Sequence, residues 1–77
     1  MAPTPSAEAL RRMGETLAER RRNRGLSQGQ LAELAGVTVR TISRAETGQG
    51  SFDTCCLLAQ VLEFNLLAAV ATPEEAA

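Results

Sequence analysis

Two arginines four residues apart, Arg40 and Arg44, are the side chains of this sequence best suited to recognise a ligand. On a helix, residues i and i+4 project from one face, so their guanidinium groups would lie side by side. Each guanidinium is a rigid fork of donors that fits the paired acceptors of a guanine edge or a phosphate. Two surface arginines can also merely solubilise a helix, so the elements around them decide between these interpretations.

Three neighbours complete the same side of this helix. Val39 and Ser43 fall beside the two arginines, and Thr41 lies towards one flank. An exposed valine here is either incidental or contacts a thymine methyl group, because the first residues of a helix in the major groove lie nearest the bases. If this helix lies in the major groove of DNA, the surface that contacts the duplex consists of Val39, Arg40, Thr41, Ser43 and Arg44.

Two charged residues fall on otherwise apolar helix faces. Arg21 follows Leu17 by four residues, and Glu46 follows Ile42 by four. A buried charge without a partner is very costly, so two such charges of opposite sign favour an ion pair inside the fold. We expect this pair to hold helices together rather than to contact a ligand.

The sequence offers little for catalysis or metal binding. It contains no histidine and no lysine, its carboxylates are scattered, and it has no glycine-rich phosphate loop. Cys55 and Cys56 are adjacent, and a disulfide between neighbours on a helix would distort the backbone. We predict free, partly buried thiols in a reducing compartment, with a redox or metal role as the alternative. We expect no catalytic residue, no cofactor and no metal ion.

Helices must position these side chains. The chain has two phenylalanines and no tyrosine or tryptophan, so its core is made of smaller apolar residues that suit packed helices. The first helix is predicted at 6–24, between the N-cap Ser6 and Gly25. Two later helices are predicted at 52–62 and 66–71.

Between them, residues 28–47 predict a helix-turn-helix. Ser27 starts its first helix with a capping-box signal, and Gly36 ends that helix at about residue 35. Thr38 can cap the second helix, at about 39–47. A connection of about three residues that contains a glycine forces two helices to cross steeply.

The chain is long enough for one small domain. We expect an all-α, compact five-helix domain over 6–72, with flexible ends at 1–5 and 73–77. There is no apolar run that could span a membrane and no secretory signal, so we expect a cytoplasmic protein.

Charge is distributed unevenly along the chain. The net charge is −1, yet all eight basic residues are arginines at or before Arg44. Residues 1–48 carry a net charge of +3, and the remainder carries −4. A duplex contacts one face and not the average charge, so DNA stays a candidate partner, with limited non-specific affinity.

The stretch at 21–48, RRNRGLSQGQLAELAGVTVRTISRAETG, resembles the phage repressor/Cro-type (XRE-type) helix-turn-helix family. The resemblance covers roughly residues 10–67. That family folds as a five-helix, repressor-like domain and serves phage repressors, plasmid and restriction-system regulators, and antitoxins. Seven positions match its pattern: Leu31, Ala32, Ala35, Gly36, Val37, Ile42 and Ala45.

By this resemblance, Gln28 clamps a DNA phosphate, and Val39, Arg40 and Arg44 read bases. The position of Gln28 at a helix start agrees, since free backbone N–H groups and a side-chain amide can bind a phosphate there. Thr38 caps its helix, touches the DNA backbone, or does both.

The resemblance also pairs Arg21 with Glu46, but the sequence departs from the family at other positions. Arg20 replaces an apolar or small residue, and Ala45 is smaller than the usual leucine or isoleucine. A small Ala45 would leave room for the Arg20 stem. The loop after Gly48 is short and lacks the family's asparagine-proline, which weakens any transfer of phosphate contacts to that loop.

Together these features predict a transcription regulator, foremost a repressor, that binds a palindromic operator as a homodimer through the major groove. One helix-turn-helix reads too few base pairs for useful specificity, which favours a dimer. The interface between the two copies would include Phe64, Leu66, Leu67 and Val70. The alternative for each of them is packing in the core of a single chain. The other function considered is an antitoxin or adaptor that mainly binds a partner protein, such as a toxin.

Overall fold

The computed structural model describes residues 6–70, except for the side chain of Val70. Over this range the chain is all-helical, with the order α1 (Ala7–Asn23), α2 (Gln28–Ala35), α3 (Val39–Glu46), α4 (Phe52–Val61) and α5 (Leu66–Val70). All five predicted helices are present, with ends within about one residue of the expected positions. The predictions for residues 1–5 and 71–77 lie outside the described residues.

Each of the first four helices begins at a hydroxyl side chain. Ser6, Ser27, Thr38 and Ser51 each accept a hydrogen bond from the backbone N–H three residues further on, at 3.0 to 3.2 Å. At Ser27 the cap is reciprocal, because its backbone N–H donates to the Gln30 side chain at 2.8 Å. These bonds satisfy backbone donors that a helix start would otherwise leave unpaired.

A tight turn joins α2 to α3. Gly36 has φ 72°, in the left-handed region that glycine adopts without steric cost. The next residue closes the turn, since the Val37 N–H donates to the Ala32 carbonyl at 3.0 Å. Three residues therefore suffice to connect the two helices, and α2 and α3 pack on each other as a helix-turn-helix.

The core lies between α1 and the other helices. Leu17, Leu31, Ile42 and Leu58, one from each of the first four helices, have no exposed surface, and Leu66 of α5 is 5% exposed. Helix α1 packs against α3, α4 and α5. The inner face of α3 is thereby held against the domain, which leaves its opposite face outside.

Residues 6–70 contain neither a candidate membrane-spanning helix nor a candidate metal-binding cluster. No helix there has the length and hydropathy needed to cross a bilayer. Within the same residues, no group of three or more histidine, cysteine or acidic side chains is arranged to hold a metal ion.

Candidate nucleic-acid interface

The two faces of α3 differ sharply in exposure. Ile42 and Ala45 on its inner side have no exposed surface. On the outer side Arg40 and Arg44 are exposed, and Val39 is 47% exposed. The remaining predicted contact residues on this helix, Thr41 and Ser43, are half-buried at the edge of that outer face.

The arginines of α3 have no partner within the described part of the chain. Most arginines of α1 are engaged, by ion pairs, hydrogen bonds or a ring. Across residues 6–70, only Arg22, Arg40 and Arg44 make no such interaction. Arg40 and Arg44 share one helix face, so their full sets of donors are available to a ligand there.

A groove of about 340 Å³ runs beside these arginines. One wall belongs to α3 and the other to the loop and helix that follow, and the lining residues are Arg40, Thr41, Arg44, Gln49, Gly50, Ser51 and Thr54. Of these lining residues, the sequence analysis predicts DNA contacts for Arg40, Thr41 and Arg44. The short α3–α4 loop brings the start of α4 beside α3, and no local sequence signal reports such a long-range approach.

Thr38 serves as the N-cap of α3. Its Oγ1 accepts from the Thr41 N–H at 3.2 Å and lies 3.1 Å from the Thr41 Oγ1. The capping role anticipated for Thr38 is therefore present. Both hydroxyls take part in fixing the first turn of α3.

Arg21 and Glu46 form an ion pair inside the fold. The Arg21 Nε lies 2.6 Å from the Glu46 Oε2, and the two side chains are 11% and 6% exposed. Arg21 also donates from Nη1 to the Leu26 carbonyl oxygen at 2.8 Å. This arrangement links α1, the α1–α2 loop and the end of α3.

Gln28 joins the same network. Its Nε2 donates to the Glu46 Oε1 at 3.0 Å, and the residue is half-buried. The sequence suggested a phosphate contact for this amide and no contact with Glu46. One of its N–H groups is thus already used inside the protein.

Gly14 was not singled out from the sequence, yet it decides how α1 meets α3. A Cβ at Gly14 would overlap the Ala45 carbonyl oxygen and lie 2.7 Å from that of Glu46. Gly50 approaches the other side of Ala45 as closely, with a Cβ there 2.9 Å from the Ala45 Cα. Backbone therefore fills the space around Ala45, which accounts for the small side chain at that position.

Arg20 does not use that space, so the hypothesis that Ala45 makes room for it is wrong. Its guanidinium lies over the Phe64 ring, 4.8 Å from the centroid. One turn later, Arg24 pairs with Glu63 at 3.0 Å. Both arginines hold the α4–α5 connection against α1 through interactions that the sequence pattern did not reveal.

The four residues expected at a dimer surface have different positions. Leu66 belongs to the core of the single chain, so it is not on a free surface. Phe64 is half-buried and Leu67 is 60% exposed. The Val70 side chain lies outside the described atoms. A groove of about 230 Å³ between α4 and α5 is lined by Phe52, Cys56, Ala59, Gln60, Phe64, Asn65, Leu66 and Leu67.

The two cysteines are free and differ in environment. Cys55 is buried and Cys56 is half-buried. Burial, and secondly the neighbouring Cys56, raise the pKa of the Cys55 thiol above its ordinary value. Cys55 is therefore a core residue held in its neutral form.

Comparison with protein-family models identifies a known domain family. A model described as helix-turn-helix matches residues 17–67, from the middle of α1 into α5. The match includes α2, α3 and the loop to α4, where the exposed arginines and the groove lie. Comparison with curated proteins finds no significant match.

Proposed function

Because the chain belongs to the XRE-type helix-turn-helix family of DNA-binding transcription regulators, we propose that it inserts α3 into the major groove of a specific operator. Arg40 and Arg44 are the central contacts, to guanine edges or to the phosphates beside them. Val39, at the exposed start of the helix, contacts a thymine methyl group. Thr41 and Ser43 contribute polar contacts at the edge of the same face.

The observation that carries this proposal is the pair of exposed guanidinium groups on α3, neither of which has a partner among residues 6–70. A protein gains little stability from arginines that touch nothing of its own. Their position on the outer face of a helix fixed from behind by Ile42 and Ala45 fits a rigid reading element. Base contacts of this kind typically contribute about 1–3 kcal/mol each to discrimination.

Phosphate contacts orient the domain on the duplex. Gln28 and the start of α2 bind the DNA backbone on one side of α3. Gln49 and Thr54 line the groove on the other side and provide side-chain donors for a second stretch of backbone. The Ser51 hydroxyl, which also lines the groove, donates to the Thr54 Oγ1 at 3.0 Å. Thr38 acts as the N-cap of α3, and its hydroxyl lies at the start of the helix that contacts DNA.

The regulator acts as a homodimer on a palindromic operator and represses transcription. The exposed Leu67, with Phe64 beside the α4–α5 groove, supports this face as the contact between two copies. A dimer doubles the number of base pairs read, with half-sites about one helical turn apart, roughly 34 Å. Leu66 supports the interface from inside the core and does not itself contact the partner.

In vitro selection from random duplexes tests the proposal. The expected result is one enriched motif with two inverted half-sites, bound by wild-type protein and protected from cleavage in a footprint. A reporter carrying that motif at its promoter should be repressed when the protein is expressed. Recovery of no enriched sequence at moderate salt would contradict specific DNA binding.

The alternative, a module that mainly binds another protein, would use the same α4–α5 face. Sedimentation of the purified protein separates the two, because a dimer predicts twice the mass of the chain and a Leu67→Glu variant should sediment as a monomer. A wild-type monomer that reaches a stable size only with the product of a neighbouring gene would favour the partner-binding function.

A further inference from the structure

The Glu46 carboxylate is shared by two functional parts of the domain. Its Oε2 accepts from Arg21 Nε at 2.6 Å, which anchors the end of α3 to α1. Its Oε1 accepts from Arg21 Nη2 at 3.3 Å and also from Gln28 Nε2 at 3.0 Å. With 6% of its side chain exposed, Glu46 itself is not available to DNA.

This carboxylate dictates which way the Gln28 amide faces. An ionised carboxylate only accepts hydrogen bonds, so Gln28 must present its nitrogen and not its oxygen to Glu46. The reversed amide would place the Gln28 oxygen about 3 Å from the Glu46 Oε1, where the donated hydrogen bond now lies.

The orientation leaves one donor of the amide unused. A primary amide nitrogen carries two N–H groups, and Glu46 takes one of them. Within residues 6–70, the second N–H of Gln28 has no partner. Gln28 is the first residue of α2 and is half-buried, so that N–H belongs to a side chain that reaches the surface.

We propose that Glu46 is a positioning residue for DNA binding, which orients the Gln28 amide so that its second N–H donates to a backbone phosphate. The inference rests on the proposed function and deepens it, because it assigns a DNA-binding task to a residue that touches no DNA. The same carboxylate holds α3, so the phosphate contact and the base-reading helix are set relative to each other by one group.

The test is a methylphosphonate scan of the selected duplex, which neutralises one phosphate at a time. For wild-type protein, neutralising the phosphate bound by Gln28 should weaken binding about 10-fold, as expected for a hydrogen bond to a charged acceptor. In Gln28→Ala this effect should disappear. In Glu46→Gln it should also disappear, because the new carboxamide lets the Gln28 amide reverse and place its oxygen where the donor was.

Ile42→Val is the matched control. It removes a methylene from the buried side of α3 and lowers stability without touching the amide or the carboxylate. Neutralising the phosphate bound by Gln28 should weaken binding by Ile42→Val as much as it weakens binding by wild-type protein. If Glu46 has a purely structural role, Glu46→Gln should behave like Ile42→Val. It would bind the duplex more weakly overall, and neutralising the same phosphate would still weaken its binding. That result would overturn the proposal.

A second measurement uses wild-type protein alone, in case Glu46→Gln does not fold. A scalar coupling across the hydrogen bond between the Gln28 side-chain nitrogen and the Glu46 carboxyl carbon should be detectable by NMR, and its absence would overturn the proposal. If binding by Gln28→Ala is still weakened by neutralising every phosphate that matters to wild-type protein, the proposal also fails. The proposed reading of DNA by α3 would still stand in that case, because wild-type protein binds the duplex. No binding of any duplex would instead refute the proposed function.

Discussion

Arginines that are already engaged inside a protein have few donors left for a partner. In this chain Arg21 is held by Glu46 and Leu26, and Arg20 lies on the Phe64 ring. Arg40 and Arg44 donate to no partner in the part of the chain that the structure describes. At the scale of single residues, the absence of internal contacts is what separates the two arginines proposed to bind DNA from those that stabilise the fold.

Replacing Arg44 or Arg40 by alanine should weaken operator binding about 10-fold or more, as expected for the loss of one good base contact. Thermal stability should change little, because neither guanidinium has an intramolecular partner among the described residues. Electrophoretic mobility shift and thermal melting measure the two quantities.

Arg22→Ala is the matched control for these variants. Arg22 is also exposed and has no partner within the described range, but it lies at the end of α1. It should retain operator affinity within about twofold. Equal losses from Arg22→Ala and from the α3 variants would indicate general charge attraction and not a reading helix.

The two thiols should react at very different rates. Cys56 is half-buried and accessible, whereas burial raises the pKa of Cys55 and so lowers the fraction of reactive thiolate at any given pH. With a disulfide reagent such as DTNB, we expect one fast equivalent from native protein and a second only on unfolding. Cys56→Ser should abolish the fast phase. Two equivalents released together from native protein would contradict the assigned environments.

Contacts between elements depend on the absence of a side chain as much as on apolar packing. Gly14 lets the middle of α1 touch the last backbone carbonyls of α3, and Gly50 covers Ala45 from the loop that follows. The Arg21–Glu46 pair then fixes the same end of α3. The position of the reading helix is therefore set mainly at its C-terminal end, behind the exposed face.

Gly14→Ala should destabilise the domain by about 2 kcal/mol or more, because the added methyl meets backbone that cannot move without displacing α3. In a domain of this size that corresponds to a fall in melting temperature of roughly 10 °C. Operator affinity should fall as well, since α3 is displaced.

Gly29→Ala is the control for this prediction. Gly29 is also helical, but a Cβ there would meet only the Ser27 Oγ at 3.8 Å and a Val39 methyl at 3.9 Å, which is ordinary contact. Its melting temperature should stay unchanged or rise slightly, because alanine favours the helix over glycine. A melting temperature for Gly14→Ala as high as that of Gly29→Ala would refute the close packing of α1 on α3.

For the whole molecule, a net charge of −1 coexists with a cationic reading face. Three acidic residues follow Arg44 within the described range, and two of them are paired: Glu46 with Arg21 and Glu63 with Arg24, while Asp53 is the third. We therefore expect DNA attraction to be local to one face and long-range attraction to arbitrary DNA to be weak.

Operator affinity should fall linearly on a double-logarithmic plot as salt concentration rises, since phosphate contacts release counterions. Fluorescence anisotropy over a salt series measures the slope. Arg44→Ala should reduce the slope by about one if Arg44 binds a phosphate and leave it nearly unchanged if it binds a base. A flat profile for wild-type protein would contradict duplex binding.

Local signals in the sequence were sufficient to predict the five helices and the helix-turn-helix. Caps such as Ser27 and Thr38, and the left-handed turn at Gly36, act within three or four residues, so they can be recognised without knowing the fold. The exposed face of α3 was predictable from the spacing of its apolar residues, because residues three or four apart lie on one side of a helix. The Arg21–Glu46 pair was predictable because each charge interrupts an apolar face.

Other features depend on which distant residues meet, and only the tertiary structure decided them. The bond from Gln28 to Glu46, the stacking of Arg20 on Phe64 and the backbone contact at Gly14 join residues 18 or more positions apart. Leu66 lies in the core while Leu67 is exposed, although both are leucines of one short helix. Residue type and spacing specify a local conformation, whereas burial and hydrogen-bond partners arise only when helices far apart in sequence pack together.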